Sequence, residues 1–373
     1  MLFHTSHIAI ETHLASRPAP PIVTRRQTRP AVPSYDIVDL GVLPKRTTSE
    51  ARAINDYGVI VGSSGLVSPW GAEANTPFVY RNGTMAPATT MKESAESVAV
   101  DIDSHGTVAV DSLTQKGYHG TWHAYLWKDG VATEIAPPTT YTGCFLTGIN
   151  DAGATIGWCQ DAKGNNFGFV RRGGVTNLLH ATGKRERVSP MAINNRGQIA
   201  GTVSVSSSDE HSRAFILDRD HMTLIGSPAG GAGAAGINNL GQVVGTMITS
   251  LHDAKHNLIT HGFLWDKAHG FTDIGSLGGT YTDAHAVNDK SVIVGSSQIA
   301  GSIKQHACIW IDGKILDLNK CLAGKQKQWL LEAANAINNK GQIVGIGLIG
   351  DKAHAFLLTP HAPRESRSPH RQG

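Results

Sequence analysis

A-I-N-N-K-G-Q-I-V-G, residues 336–345, is the clearest copy of a phrase that occurs seven times in the 373-residue chain. It reads A-I-N-D-Y-G-V-I-V-G from Ala53, G-I-N-D-A-G-A-T-I-G from Gly148, A-I-N-N-R-G-Q-I-A-G from Ala192 and G-I-N-N-L-G-Q-V-V-G from Gly236. Two copies are degenerate, D-I-D-S-H-G-T-V-A-V from Asp101 and A-V-N-D-K-S-V-I-V-G from Ala286. The key positions are Asn55, Asp103, Asn150, Asn194, Asn238, Asn288 and Asn338, with steps of 48, 47, 44, 44, 50 and 50 residues. A period of that size means one supersecondary unit repeated along the chain.

The phrase carries a turn mechanism. An Asn side chain that opens a turn bonds the backbone ahead of it, and the Gly three residues on takes the left-handed conformation. Asp103 keeps that chemistry, and Ser291 replaces the Gly at a small steric cost. All seven positions are therefore read as structural turns.

Each unit has a second half: W-H-A-Y-L-W-K-D-G from Trp122, H-G-F-L-W-D-K-A-H-G-F-T-D-I-G from His261, H-A-C-I-W-I-D-G-K-I-L-D-L from His306, and related runs from Phe78, Phe167 and Arg213. Asn82-Gly83, Asp129-Gly130 and Asp312-Gly313 are two-residue hairpin signals. The unit is thus strand, tight turn, strand, variable loop, strand, tight turn, strand. Seven such units predict an all-β fold, a seven-bladed β-propeller of four-stranded antiparallel blades. The seventh copy stops at Thr359-Pro360, one strand short, and the missing strand stands at Tyr35–Leu43. That N-terminal strand is expected to complete the last blade and so to pair the edges that an open array leaves bare. The A-I-N strand is placed innermost and the D-L-G strand outermost. The opposite phase and an open solenoid are the architectural rivals.

Composition agrees. Aromatics are 6% and glycines number 42, the profile of many short strands and tight turns. Residues 35–360 are read as the repeat domain, 1–34 as a disordered leader and 361–373 as a disordered basic tail. The balance of 33 basic and 30 acidic residues argues against a nucleic-acid partner. No run approaches the ~18 apolar residues of a membrane helix. The N-terminus shows neither the charged start nor the apolar centre of a Sec signal peptide.

At the motifs quoted above the chain resembles the HAF-repeat proteins, a largely uncharacterised group of bacterial repeat proteins often described as extracellular. Ala336–Gly345 with His354–Leu358, and Gly236–Gly245 with His261–Gly279, match both halves of that repeat. The resemblance covers roughly residues 35–358 and implies a secreted or cell-surface setting. A cytoplasmic location or a non-Sec export route is the alternative that the N-terminus leaves open.

Four cysteines occur. A plain turn at Asn150 and Gly153 sets Cys144 opposite Cys159. A bulge at the Gly shifts the register by one and sends the two thiols to opposite faces. Cys308 faces Asp317 rather than Cys321, and no C-x-x-C motif is present. The His before the third strand, at His123, His261, His306 and His354, is replaced by Pro77, Phe167 and Arg213 elsewhere. That variation points to packing or hydrogen bonding, not to zinc, whose ligands must converge at ~2.0–2.1 Å. Gly230 to Gly236 leads into a strand, so no helix N-terminus awaits a phosphate. No metal or cofactor is implied.

Function is sought in the variable loops, because loops on a rigid scaffold carry binding and catalysis. The candidate ligand residues are Trp70, Tyr118, His119, Trp122, Asp209, His211, His252, Asp253, His256, Tyr281, Asp283 and His285, with Asp161 and Glu210 beside them. Aromatics next to carboxylates and histidines suit a protein or a glycan. The chain is read first as a non-enzymatic, monomeric interaction scaffold. The alternative is a glycan- or peptide-directed hydrolase or lyase using Asp and His at the channel mouth, and a purely structural envelope protein is the third reading. A converging His–Asp cluster favours the enzyme; scattered acids around an apolar-aromatic patch favour binding.

Overall fold

The computed structural model describes residues 32–66, 75–89, 96–116, 119–180, 187–204, 212–226, 229–324 and 328–361. Strands dominate these residues, and no helix among them is long and apolar enough to cross a membrane. The first strands of the seven units are β2 (Thr48–Ile54), β6 (Glu96–Ile102), β10 (Tyr141–Ile149), β14 (Arg187–Ile193), β18 (Ala232–Ile237), β22 (Gly278–Val287) and β26 (Trp329–Ile337). Each pairs antiparallel with the next strand in sequence, so the order is 1-2-3-4 within each of the first six units. In the last unit β26 is followed by β27 (Ile343–Ile349) and β28 (Lys352–Pro360), and β1 (Tyr35–Gly41) supplies the fourth strand.

Seven separate sheets are expected from the repeat, and six are observed among the described residues, five of four strands and one of eight. The larger sheet is two antiparallel four-strand groups touching through one parallel pair, Thr260 with Tyr281. The cause is local. β22 runs ten residues and starts early enough for Tyr281 to reach β20 (Leu258–Asp266) of the preceding unit.

The predicted terminal pairing is present. β1 runs antiparallel to β28, from Tyr35 opposite Pro360 to Gly41 opposite Ala355. Side chains reinforce it: His354 Nδ1 lies 3.0 Å from the Asp39 carboxylate, and Ser49 Oγ accepts from Ala355 N at 2.9 Å.

Two bulges shape every unit. The Asn turn closes with one extra residue, as where Asn338 N donates to Gln342 O and Gly341 N donates to Asn338 O. A second bulge lies on the first strand, three residues before the Asn position. The unpaired residue there is Arg52, Val100, Thr147, Met191, Ala235, His285 or Asn335. A bulge bends its strand and re-aims the extra side chain. The bent backbone comes so close to the second strand that a Cβ at Gly62, Gly157, Gly201 or Gly245 would meet a carbonyl oxygen at 2.0 Å. That contact explains the final Gly of the phrase. Opposite these glycines stand Phe78, Phe169, Phe215 and Phe263, all fully buried; each contributes about 1.5–3 kcal/mol of apolar burial.

The paired bulges also settle the cysteines. The turn bulge moves the register by one, and the bulge at Thr147 moves it back, so Cys144 faces Cys159 directly. The two form a disulfide with Cα atoms 4.1 Å apart. Cys308 does pair with Asp317 across its hairpin. Cys308 and Cys321 are free and buried, and burial pushes their thiols up to about 12 and 11.

Candidate functional site: the two ends of one axis

The first strands converge on a common axis. At one end the Asn turns interlock. Asn150 Nδ2 donates to Asn194 O at 2.9 Å, Asn194 to Asn238 O at 2.8 Å, Asn238 to Asn288 O at 2.9 Å, and Asn288 to Asn338 O at 3.1 Å. Asn338 then donates to Asn55 O at 3.1 Å and Asn55 to Asp103 O at 3.0 Å. Asp103 has no amide to pass on, so one step lacks this bond. The residue after each Asn forms a second belt, whose side-chain oxygens accept from the backbone of the preceding unit, running from Ser104 N to Asp151 Oδ1 round to Asn339 N to Asp56 Oδ1. Residues of all seven repeats surround one cavity of about 190 Å³ here. Its wall carries Ile54, Ile102, Ile149, Ile193, Ile237, Val287 and Ile337. This end is uniform, and its polar groups are spent on one another.

The other end is not uniform. A cavity of about 610 Å³ is lined by Glu50, Arg52, Val98, Val100, Asp111, Trp122, Phe145, Leu146, Thr147, Met191, His285 and Asn335. Six of these are bulge residues, so the bulge carries a variable side chain of most units into the cavity. The wall divides by chemistry. Units two to four contribute Val98, Val100, Leu146, Met191 and the aromatic pair Trp122 and Phe145, whose ring centroids lie 6.3 Å apart. Phe145 also stacks on Trp158 at 6.0 Å. Units one, six and seven contribute Glu50, Arg52, His285 and Asn335.

The polar half is a connected network. Asn335 Nδ2 donates to Glu50 Oε1 and to Ala51 O, both at 2.9 Å. Arg52 Nη2 faces Glu50 Oε2 at 3.4 Å. His285 Nδ1 donates to Ala334 O at 3.0 Å, and its Nε2 lies 3.7 Å from Asp283 Oδ2. Burial alone pushes His285 down, but Asp283, the Ala334 carbonyl and the charge of Glu50 outweigh it and hold the ring above its ordinary value. Burial likewise pushes Asp283 up, and His285 with the Thr246 and Tyr281 hydroxyls brings it below the ordinary value. Each partner thus favours the charged form of the other, and both nitrogens of the histidine face an acceptor.

Asp111 sits on the apolar side. It is 4% exposed and accepts from Leu146 N at 2.8 Å. Burial raises it to about 8, against the opposing pull of that N–H and of Arg52. Asp101, which accepts from Ile149 N and Ile102 N, both at 2.8 Å, is raised to about 6, again by burial. The two acids brace β10 on either side of its bulge.

Of the residues singled out from sequence, Trp122 and His285 line this cavity and Asp283 supports it. Tyr281 lies in a neighbouring cavity of about 360 Å³, and its hydroxyl is 3.4 Å from Asp283 Oδ2. His252, Asp253 and His256 belong to the hairpin between β19 (Val243–His252) and β20. There Asp253 Oδ1 accepts from Lys255 N and Asn257 N, and His256 is left-handed with φ 62°. Asp161 builds the same turn with Lys163 and Asn165. Trp70, Tyr118, Asp209, Glu210 and His211 lie outside the described residues, as does the side chain of His119. Sequence reasoning missed Glu50, Arg52, Asp111, Phe145, Met191 and Asn335. Apart from Asp111, which stands on the second strand of its unit, their signal was the variable residue three before each Asn, and the residue two before that, in columns flanked by constant ones.

The recurrent histidines have a different role. His123, His261, His306 and His354 each place Nδ1 2.8–3.0 Å from an acid on the fourth strand, namely Glu134, Asp273, Asp317 and Asp39. Phe78 pairs with Gly62, so in the first unit the equivalent position is Thr76 rather than Pro77. Among the described residues no cluster of three or more His, Cys, Asp or Glu could hold a metal ion.

No protein-family model and no curated protein matches the sequence. Solved structures do resemble the fold. The β-propeller domain of the Trilobed protease from Pyrococcus furiosus, described as having an open velcro topology, aligns with TM-score 0.52 at 8% identity over 86% of this chain and 99% of that one. YCF48 bound to D1 peptide aligns with TM-score 0.50 at 11% identity over 91% and 100%. An acylaminoacyl peptidase aligns with TM-score 0.53 at 10% identity over 85% of this chain and 52% of its own length. At these identities the likeness shows the fold alone, which is of the β-propeller type.

Proposed function

We propose that the seven units are the blades of a closed, seven-bladed propeller of HAF-repeat type that acts as a non-enzymatic binding scaffold for a protein or glycan. The seven-fold count is supported by the Asn ring, the seven-residue Ile/Val wall and the pairing of β1 with β28. The observation that carries the binding reading is the 610 Å³ cavity, divided into an aromatic-aliphatic half and a polar half. Apolar pockets with a few convergent polar groups are the usual form of a ligand site. The site is thereby moved from the loop tips to the axis. The Cys144–Cys159 disulfide supports a secreted or cell-surface setting, where such bonds persist.

The test is a glycan array together with a peptide library screen, run on the native chain and on Phe145→Ala. A ligand bound by the native chain and lost in the folded variant is the expected result. Absence of any ligand for the folded native chain would overturn the reading. Asp111, a carboxylic acid poised to be protonated at neutral pH, supports the second reading, a hydrolase or lyase. Turnover of glycan or peptide substrates that disappears in Asp111→Asn would put that reading first.

A further inference from the structure

The groups in the axial cavity that are not already committed are unequal in kind. Asn335 gives its amide to Glu50 and Ala51. His285 has both nitrogens engaged, and Glu50 holds Asn335 on one oxygen and faces Arg52 with the other. Arg52 is the exception. Its side chain is 41% exposed, Nη2 donates to Glu50 Oε2 over a long 3.4 Å, and beyond that its charge reaches the Asp111 carboxyl. A guanidinium presents five donors in a planar fork, and that fork suits a carboxylate taken on two oxygens. The cavity wall it shares carries Val98, Val100, Leu146, Met191, Phe145 and Trp122, with the Asp111 carboxyl among them.

We infer that the cavity binds the C-terminal residue of a peptide, with the free carboxylate on Arg52 and an apolar side chain against Phe145 and Trp122. The inference rests on the binding reading above and narrows it. Charge permits it. Arg52 and His285, held above its ordinary value, stand against Glu50 and Asp283, and burial pushes Asp111 up to about 8, toward its neutral form. A volume of about 610 Å³ accommodates one or two residues, not a folded surface. An acidic sugar fits less well, since its hydroxyls would lie unpartnered against Val98, Val100 and Met191, and burying a hydroxyl without a partner is unfavourable.

The experiment is calorimetric titration of the full chain with acetyl-glycyl-phenylalanine, the same peptide as its C-terminal amide, and glucuronic acid. The free acid should bind at least tenfold tighter than the amide and than glucuronic acid. Arg52→Met, checked for an unchanged melting temperature, should remove that preference while Phe145→Ala weakens acid and amide alike. Equal binding of acid and amide, a preference that survives Arg52→Met, or tighter binding of glucuronic acid would each overturn the inference. If none of the three probes binds while a ligand found by array or library does, the C-terminal inference falls and the binding reading stands. If nothing binds by any route, both fall.

Discussion

The two ends of the axis are built from the same seven strands and behave as opposites. At the Asn end the units present nearly the same groups, interrupted at Asp103 and Ser104, and the cavity is small and lined by Ile and Val with the Asn and Asp residues of the turns. At the other end, two or three residues back along the same strands, each unit presents something different, and the cavity is three times larger and chemically divided. The difference teaches how a repeat protein separates tasks. Ring assembly needs identical contacts at every step, so those positions are uniform. The proposed binding would need a surface without symmetry, and the bulge positions do vary. The bulge connects the two, because it delivers a variable side chain from six of the units, at a point where in six of the seven the backbone passes close over a glycine.

Breaking the bulge should have the largest effect. Gly345→Ala puts a Cβ 2.0 Å from the Ala333 carbonyl oxygen, with backbone that cannot yield cheaply. A loss of about 4 kcal/mol is expected by urea denaturation, and a loss under about 1 kcal/mol would show that the close approach is not required.

Breaking the Asn belt comes next. Asn338→Ala removes donation to Asn55 O and Gln342 Oε1 and acceptance from Lys340 N and Gln342 N. Unpaired buried groups left behind should cost about 3 kcal/mol, read in the same assay.

Asp111 sharpens the contrast from the variable end. Its carboxyl is raised to about 8 in the folded protein, against about 3.9 unfolded. Between those values the folded state keeps a proton that the unfolded state releases, so stability falls as pH rises, by at most about 1.4 kcal/mol per pH unit. Asp111→Asn removes that slope above about pH 6, and below it Asp101, raised to about 6, still contributes. Unfolding curves at pH 6 and 8 should show the native chain losing about 2–3 kcal/mol more than the variant, whose remaining slope comes from His285, held above its ordinary value. Parallel curves for the two proteins would refute the assignment.

The smallest effect repairs the belt. Asp103 is the step without an amide donor, and Asp103→Asn would offer one to Asn150 O while keeping its acceptance from Thr107 N. A gain of about 1 kcal/mol is expected, and no gain would mean that the ring does not need its seventh bond.

Much of the frame was legible in advance. The N-x-x-G phrase names its own turn, since an Asx side chain and a left-handed Gly are local chemistry. The displaced strand Tyr35–Leu43 was visible because β1 repeats the D-L-G pattern of the other fourth strands. The Cys144–Cys159 pairing was left open, because one bulge was recognised and the compensating one at Thr147 was not. Residues for the candidate site were sought in loops, and that search found Trp122, Asp283 and His285 while passing over Arg52, Phe145 and Asn335. These three sit inside strands beside the constant A-I-N and G-I-N letters, where alternation assigns no special exposure.

By itself the sequence determined the period, the four-strand unit, the turn chemistry and the strand that closes the last unit, because each rests on residues a few positions apart or on one pattern repeated. Tertiary structure alone decided which variable side chains meet. That depends on two opposed bulges that restore the register and on the arrangement of the strands about an axis. Such geometry brings Arg52, Phe145 and His285, far apart in the chain, to the wall of one cavity.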